Sequence, residues 1–241
     1  FCVVYLCQIL FDLQEILTQE IKLSNKTLSV SIRREDLIHP FISGNKFRKL
    51  KYNLVQAKAE NNYTLLTFGG AFSNHIAAAA YAGIEYGFKT IGIIRGDELE
   101  SKIFENPTLK FAQQCGMQFK FVTRENYRHK TEAEFIENLK HEFGDFYYVP
   151  EGGTNQFAVK GCEEILSNGD SQYDFIGTAV GTGGTISGII NSSLPHQKVL
   201  GFPALKGNFL NDEIRKFVHK NNWELIPDYH FGGYGKVNPE L

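Results

Sequence analysis

Short β-rich runs alternate with helical runs along almost the whole of this 241-residue chain. Strand-length apolar runs are separated by segments that repeat apolar residues at helical spacing. Strands are predicted over residues 28–34, 63–68, 89–94, 118–122, 146–149, 174–180 and 198–202, and helices over 47–60, 73–86, 107–115, 131–143, 154–166, from 181–185 onward, and over 208–220. Strands joined through helices need crossover connections, so the alternation predicts an α/β fold with mostly parallel sheets covered on both faces.

The charge balance and the first ten residues limit the kinds of partner. The chain has 25 basic and 27 acidic residues and no basic block, so we expect no nucleic-acid partner. Residues 1–10 are mostly apolar but lack signal-peptide features. They are also shorter than the roughly 20 apolar residues that cross a bilayer, so we expect no membrane partner. We interpret this end as a fragment boundary or a misassigned start, with a buried strand as the alternative.

The four cysteines show no Cys-x-x-Cys spacing, and no histidine stands at metal-ligand spacing from any of them. This pattern favours free thiols in a reducing compartment, so we expect a cytoplasmic protein. It also predicts no metal site.

Three junctions between a predicted strand and a predicted helix are rich in Gly, Ser, Thr and Asn: residues 69–75, 151–155 and 181–185. Ligands of parallel α/β sheets bind beyond the carboxyl ends of the strands, so the three junctions are candidates for one crevice. At 181–185, glycines and the amides of a helix start favour an anion, with a plain tight turn as the alternative. The spacing fits neither a Walker loop nor a dinucleotide fingerprint.

The other two junctions have both a structural and a functional interpretation. Ser73 or Asn74 is either a helix N-cap or part of a carboxylate site. Thr154 is either an N-cap or part of a loop facing a ligand. A serine hydrolase built on Ser73 is a weak alternative, because the chain has no Gly-x-Ser-x-Gly turn.

Lys46 stands in a cationic run, which is most often a solvated helix face. Two features argue against that interpretation. Lys46 precedes Leu50 by four residues, so it shares the apolar stripe rather than the side that bears Lys49. It also lies at the predicted helix start, where the helix dipole disfavours a second positive charge. Both effects lower a lysine pKa, as an imine-forming amine requires.

Taken in order, five motifs resemble the fold-type II pyridoxal-phosphate (PLP) enzymes, and within them the group of 1-aminocyclopropane-1-carboxylate deaminase and D-cysteine desulfhydrase. The motifs are Ile32-Arg33-Arg34-Glu35-Asp36, Ser43-Gly44-Asn45-Lys46-Phe47-Arg48-Lys49-Leu50, Gly69 to His75, Glu151 to Asn155, and Gly181 to Thr185. The resemblance covers residue 28 to the end of the chain.

The resemblance implies a role for each matching residue. Lys46 forms the imine with PLP and moves protons at the substrate carbon, while Asn74 lies beside the phenolic oxygen of the cofactor. The loop Thr182, Gly183, Gly184 and Thr185 takes the phosphate. Ser73, Asn74 and His75 contact the substrate carboxylate, and Ser73 is also a candidate acid, base or nucleophile. Tyr234 matches a tyrosine that faces the substrate.

The resemblance also implies the domain organisation. Two open, mostly parallel sheets with flanking helices form two α/β domains, with residues 56–154 as the small domain inserted into a large domain of residues 1–55 and 155–241. We expect a homodimer. The chain ends several elements before family members normally do, so we expect an incomplete large domain without a second substrate-facing tyrosine.

The implied reaction is β-elimination from D-cysteine to pyruvate, ammonia and sulfide. His75 favours it over ring opening of 1-aminocyclopropane-1-carboxylate, because the deaminases tend to have glutamine there. Phe72 departs from both groups, which usually carry glutamine at that position. The alternatives are that deaminase reaction, an inactive truncated remnant, and a β-replacing synthase with the same fold.

Overall fold

The computed structural model of the chain describes residues 16–23, 28–204 and 209–230. Strands and helices alternate through them, so the predicted α/β fold is confirmed. The strands are β1 (Thr18–Ile21), β2 (Val30–Arg33), β3 (Thr64–Gly69), β4 (Lys89–Arg95), β5 (Gln118–Val122), β6 (Tyr147–Val149), β7 (Phe175–Val180), β8 (Lys198–Pro203) and β9 (Trp223–Leu225). The α-helices are α1 (Asn45–Ala59), α2 (Asn74–Tyr86), α3 (Pro107–Gln114), α4 (Ala133–Phe143), α5 (Gln156–Glu163), α6 (Gly184–Ser192) and α7 (Phe209–Arg215).

The first of two compact units lies within Phe1–Phe47 and Asn53–Glu151. Its main sheet has the strand order β5-β4-β3-β6, and every neighbouring pair is parallel. Phe68 of β3 and Leu139 of α4 belong to one core cluster. Ile94 of β4 shares another with Ile76 of α2 and Leu109 of α3. Helices therefore pack on both faces of the sheet, as a buried parallel sheet requires.

The second unit lies within Arg48–Tyr52 and Gly152–Leu241. Its three strands are parallel in the order β7-β8-β9. The core of this unit contains Val180 of β7, Val199 of β8, Ile186 and Ile190 of α6, and Ile214 of α7. The strand β7 thus leads into the loop at 181–183, and α6 then packs back on the sheet.

The structural division falls between Glu151 and Gly152, close to the boundary predicted at residues 154 and 155. Residues before Phe47, however, group with the β5-β4-β3-β6 unit, whereas the sequence assigned residues 1–55 to the large domain. The assignment of one small inserted domain and one large domain therefore stays a prediction.

Two strands were not predicted. β1 pairs with β2 in an antiparallel ribbon, and β9 forms the edge of the second sheet. Both are short, with four and three residues, and neither carries an apolar run that would signal a strand. In β2, Val30 and Ile32 share one face as predicted, but both are exposed. Within the described ranges no helix is long and apolar enough to be a candidate for a membrane span.

Candidate active site

Lys46 is the second residue of α1. The preceding Gly44 has a φ of 61°, a backbone conformation that glycine adopts readily, so the chain can turn sharply into the helix. The Lys46 side chain is half-buried. Its place in the first turn puts it at the positive end of the helix dipole. The structure thus confirms the predicted position of Lys46 at a helix start, and its bond to a cofactor stays a prediction.

Lys49 lies three residues further along α1, and our interpretation of its side of the helix was wrong. We placed Lys49 outside the buried stripe that contains Phe47 and Leu50, yet Lys49 is only 2% exposed. Residues 47–51 are all buried. This part of α1 has no solvated face, so helical spacing alone cannot distinguish its sides.

Three oxygen atoms surround the Lys49 ammonium. Its Nζ donates to the backbone oxygen of Gly152 at 3.0 Å, to Thr154 Oγ1 at 2.9 Å and to Thr182 Oγ1 at 3.3 Å. An ammonium group has three N–H donors, so the three acceptors match it. Burial nevertheless lowers the pKa of Lys49 to about 8, while the nearby Cys162 thiol opposes that shift. A buried cation with a lowered pKa therefore contacts both glycine-rich loops of the second unit.

The loop between β7 and α6 combines the features of an anion site. Thr182 Oγ1 lies 2.5 Å from Thr154 Oγ1. Gly183 has a φ of 86°. A Cβ on Gly184 would stand 3.2 Å from the Nζ of Lys49, so glycine allows the helix start to approach that cation closely. The half-buried Thr185 follows in the first turn of α6, where backbone N–H groups have no acceptor within the helix.

This loop fits a phosphate dianion. The hydroxyls of Thr154 and Thr182 and the buried Lys49 ammonium lie together. The first turn of α6, where backbone N–H groups have no acceptor within the helix, follows at Gly184. Two of the three predicted junctions, 151–155 and 181–185, are therefore confirmed to converge. The junction 69–75 belongs to the first unit and is described there.

Ser73 is the N-cap of α2, since its side chain accepts a hydrogen bond from the backbone N–H of Ile76 at 3.4 Å. Of the two predicted caps, Ser73 is thus confirmed, and Asn74 is the first helical residue with an exposed side chain. Capping leaves the second lone pair of the Ser73 oxygen available. The predicted contacts of Ser73 and Asn74 with a carboxylate and a cofactor stay predictions.

The His75 ring is turned into the protein and is 1% exposed. Its Nε2 lies 2.9 Å from Thr67 Oγ1, and the Thr67 hydroxyl donates its single proton to the backbone oxygen of Val149 at 2.8 Å. Thr67 must therefore accept from His75, which places a proton on Nε2 of the ring. The predicted contact of His75 with the substrate stays a prediction. The backbone N–H groups at the start of α2 are better suited to bind a carboxylate than the buried ring of His75 is.

A charged cluster at the carboxyl edge of the first sheet was not predicted. The Tyr127 hydroxyl donates to Glu151 Oε1 at 2.9 Å, and Lys130 Nζ lies 3.4 Å from Glu151 Oε2. Burial, aided by the Glu151 carboxylate, raises the pKa of Tyr127 above its usual range, so the hydroxyl keeps its proton. The Arg95 guanidinium carbon lies 5.7 Å from the centre of the Tyr127 ring. The one sequence signal was that Arg95 and Glu151 each stand where an apolar strand ends.

Tyr234, for which the family resemblance implies a position facing the substrate, lies outside the described residues, so its role stays a prediction. The described candidate residues form one set in each unit. The second unit holds Lys49 and the loop at residues 181–185, which we call the anion loop. The first unit holds the turn at residues 69–75 and the cluster around Tyr127.

Known proteins with similar sequences identify the family, although no family model matches the chain. The chain is 30% identical over 234 residues to a Thermotoga maritima protein provisionally named 1-aminocyclopropane-1-carboxylate deaminase. This alignment covers 88% of the chain and 74% of that relative. The chain belongs to the 1-aminocyclopropane-1-carboxylate deaminase and D-cysteine desulfhydrase family. An Arabidopsis thaliana mitochondrial bifunctional D-cysteine desulfhydrase/1-aminocyclopropane-1-carboxylate deaminase is 31% identical over 175 residues, covering 66% of the chain and 43% of that protein.

Comparison with a solved structure identifies the fold of the chain. The crystal structure of a 1-aminocyclopropane-1-carboxylate deaminase homologue superposes with a TM-score of 0.76 at 24% identity, covering 98% of the chain and 79% of that structure. The fold is therefore that of the fold-type II PLP enzymes. As a member of this family, the chain is an enzyme of the PLP-dependent lyase or deaminase class. The anion loop with its buried lysine fits the phosphate of that cofactor.

Proposed function

We propose that the chain acts as a D-cysteine desulfhydrase, which converts D-cysteine and water to pyruvate, ammonia and sulfide. The observation that carries the cofactor part of this proposal is the contact of buried Lys49 with Thr154 and Thr182. A buried cation beside two glycine-rich loops suits a permanent anion such as a phosphate ester. The name of the Arabidopsis relative supports the substrate class.

In this proposal the residues of the second unit hold the cofactor phosphate. The amides at the start of α6 and the hydroxyls of Thr182 and Thr185 would hold the phosphate group. Lys49 makes its three hydrogen bonds to loop oxygens. Its positive charge would therefore attract the phosphate partly by orienting the hydroxyls of Thr154 and Thr182 and partly through space. When bound, PLP supplies an electron sink for the charge that develops at the α-carbon of the substrate.

Lys46 and the turn at 69–75 act on the substrate. Lys46 would hold the cofactor through a covalent link, and its amine, once displaced by the amino group of the substrate, would remove the α-proton. That task needs a neutral amine and so benefits from the helix-start position. The amides at the start of α2, with Ser73, would bind the carboxylate, and Asn74 would help to hold the cofactor ring. Loss of the α-proton lets the bond between the β-carbon and sulfur break. The electron pair of that carbon–sulfur bond leaves with the sulfur as sulfide.

A second candidate is the deaminase reaction, in which 1-aminocyclopropane-1-carboxylate and water yield 2-oxobutanoate and ammonia. The provisional name of the Thermotoga relative favours it. That substrate has no α-hydrogen, so Lys46 cannot begin by removing one. The reaction would need attack on the ring, or loss of a β-proton, with Ser73 as the candidate residue. The histidine that follows Ser73-Asn74 favours the desulfhydrase.

Product analysis separates these candidates. The purified chain, supplied with PLP, is given D-cysteine or 1-aminocyclopropane-1-carboxylate, and sulfide and 2-oxobutanoate are measured. We expect sulfide from D-cysteine, and its loss in Lys46→Ala but not in the control Lys58→Ala near the far end of the same helix. Release of 2-oxobutanoate without sulfide would favour the deaminase. Turnover of neither substrate would favour an inactive remnant.

A further inference from the structure

Arg95 is the last residue of β4, at the carboxyl edge of the parallel sheet of the first unit. Its neighbour across the sheet is β3, which ends at Gly69 and continues into the turn that carries Ser73. An Arg95 guanidinium nitrogen lies 3.6 Å from the point that a Cβ on Gly70 would occupy. The guanidinium therefore packs against the turn whose end caps α2. Ligands of parallel sheets bind at this edge.

The orientation of Arg95 is set by a fixed aromatic ring. Tyr127 is 3% exposed, and its hydroxyl bond to Glu151 holds the ring in place. Two cations approach this ring, with Arg95 at 5.7 Å and Lys130 at 4.9 Å from its centre. A guanidinium stacked on an aromatic ring keeps its N–H groups available at its edge for another acceptor.

The charges of this cluster do not balance. Glu151 is the only carboxylate that contacts Tyr127 and Lys130 in the described part of the chain, and the lysine and the tyrosine hydroxyl share it. The Arg95 side chain is exposed and forms no ion pair with any described residue. Arg124, just beyond the neighbouring β5, is by contrast paired with Glu98 at 2.5 Å. Among the described residues, one positive charge at the carboxyl edge of the sheet is thus left without an acidic partner.

We propose that Arg95 binds the carboxylate of the amino-acid substrate, together with the helix start at Ser73. This inference rests on the proposed function, which supplies an amino acid as the ligand. The planar guanidinium offers two parallel donors that match a carboxylate, an arrangement that lysine cannot reproduce. The carboxylate does not react, so Arg95 binds the ground state and the transition state about equally. Its removal therefore raises KM and leaves kcat nearly unchanged.

The test compares an acid with its neutral amide. The PLP-loaded chain is titrated with D-alanine, which has no β-leaving group, and with D-alaninamide, and the change in cofactor absorbance is followed. We expect Arg95→Gln to weaken D-alanine binding by about tenfold or more, as loss of a hydrogen bond to a charged group does. It should leave D-alaninamide binding within about twofold, and Arg95→Lys should fall between.

Arg124→Gln is the matched control, since it removes an exposed arginine beyond the neighbouring strand that already has an acidic partner. It should change neither titration. Equal losses for D-alanine and D-alaninamide in Arg95→Gln, or no loss for D-alanine, overturn the assignment of Arg95 while the proposed function stands. If the parent chain responds to neither D-alanine nor D-cysteine, the proposed function is wrong, and the role of Arg95 with it.

Discussion

Lys46 and Lys49 stand three positions apart on α1, yet their surroundings differ. Lys46 is half-buried in the first helical turn, whereas Lys49 is buried among three oxygen acceptors. An ammonium with its donors occupied is suited to electrostatic support, and an amine at a helix start is suited to covalent chemistry. We therefore propose that Lys49 supplies the positive charge that attracts the phosphate, and that Lys46 forms the covalent link.

The lowered pKa of Lys49 makes anion binding depend on pH. In the free chain burial sets this pKa at about 8. A bound dianion favours the protonated ammonium and so raises the pKa of Lys49. Binding above pH 8 must therefore include uptake of a proton, and the affinity falls as the pH rises. We expect sulfate, which stays dianionic throughout, to bind evenly below pH 8 and up to roughly tenfold more weakly per pH unit above it.

Calorimetric titration with sulfate between pH 7 and pH 9.5 measures this dependence. The matched variant is Lys49→Met, which keeps a similar side-chain volume without the charge. It should bind sulfate weakly and show no inflection near pH 8. A parent chain whose sulfate affinity is flat across this range would show that Lys49 does not supply the charge of the loop.

At the scale of elements, the close packing of α5 against α6 depends on a glycine, Gly188. A Cβ on Gly188 would stand 2.4 Å from Cys162 Cβ and 2.7 Å from the backbone oxygen of Val159, both in α5. The helices can approach this closely only because Gly188 is glycine. The Gly188→Ala variant should lower the free energy of unfolding by about 2 kcal/mol, the usual result of overpacking a core.

Urea unfolding measures this loss, and Gly177→Ala in β7 is the control. A Cβ on Gly177 would make an ordinary contact of 3.5 Å with Phe202, so that variant should change stability by less than about 0.5 kcal/mol. If Gly188→Ala is as stable as Gly177→Ala, the two helices are not packed as closely as the structure shows.

The order of the long elements could be predicted from the sequence because each has enough apolar residues, at strand or helix spacing, to be recognised. Strands such as β3 and β4 consist mostly of apolar residues and end at a glycine or at a charged residue. β1 and β9 have no such run and gain their partners only when the sheets form. α1 shows the converse problem, since its buried segment 47–51 includes charged residues whose partners are distant in sequence.

For the whole molecule, the candidate site residues are divided between two units. The anion loop and Lys49 belong to the second unit, and the turn at 69–75 with Arg95 belongs to the first. Local motifs revealed the glycine-rich loops and Lys46, because each is continuous in sequence. The contacts of Arg95, Tyr127 and Glu151 arise only when three parallel strands end at one edge, so no local pattern could reveal them.

The central claim is that Lys46, rather than the more deeply buried Lys49, carries the cofactor. The PLP-loaded chain is treated with borohydride, which makes a link between an amine and the cofactor permanent, and the modified peptide is located by mass spectrometry. We expect the added mass on Lys46 in the parent chain and no added mass in Lys46→Ala. In Lys49→Met we expect the mass still on Lys46, but only at a higher PLP concentration. Modification of Lys49, or of no lysine in the parent chain, would contradict this account.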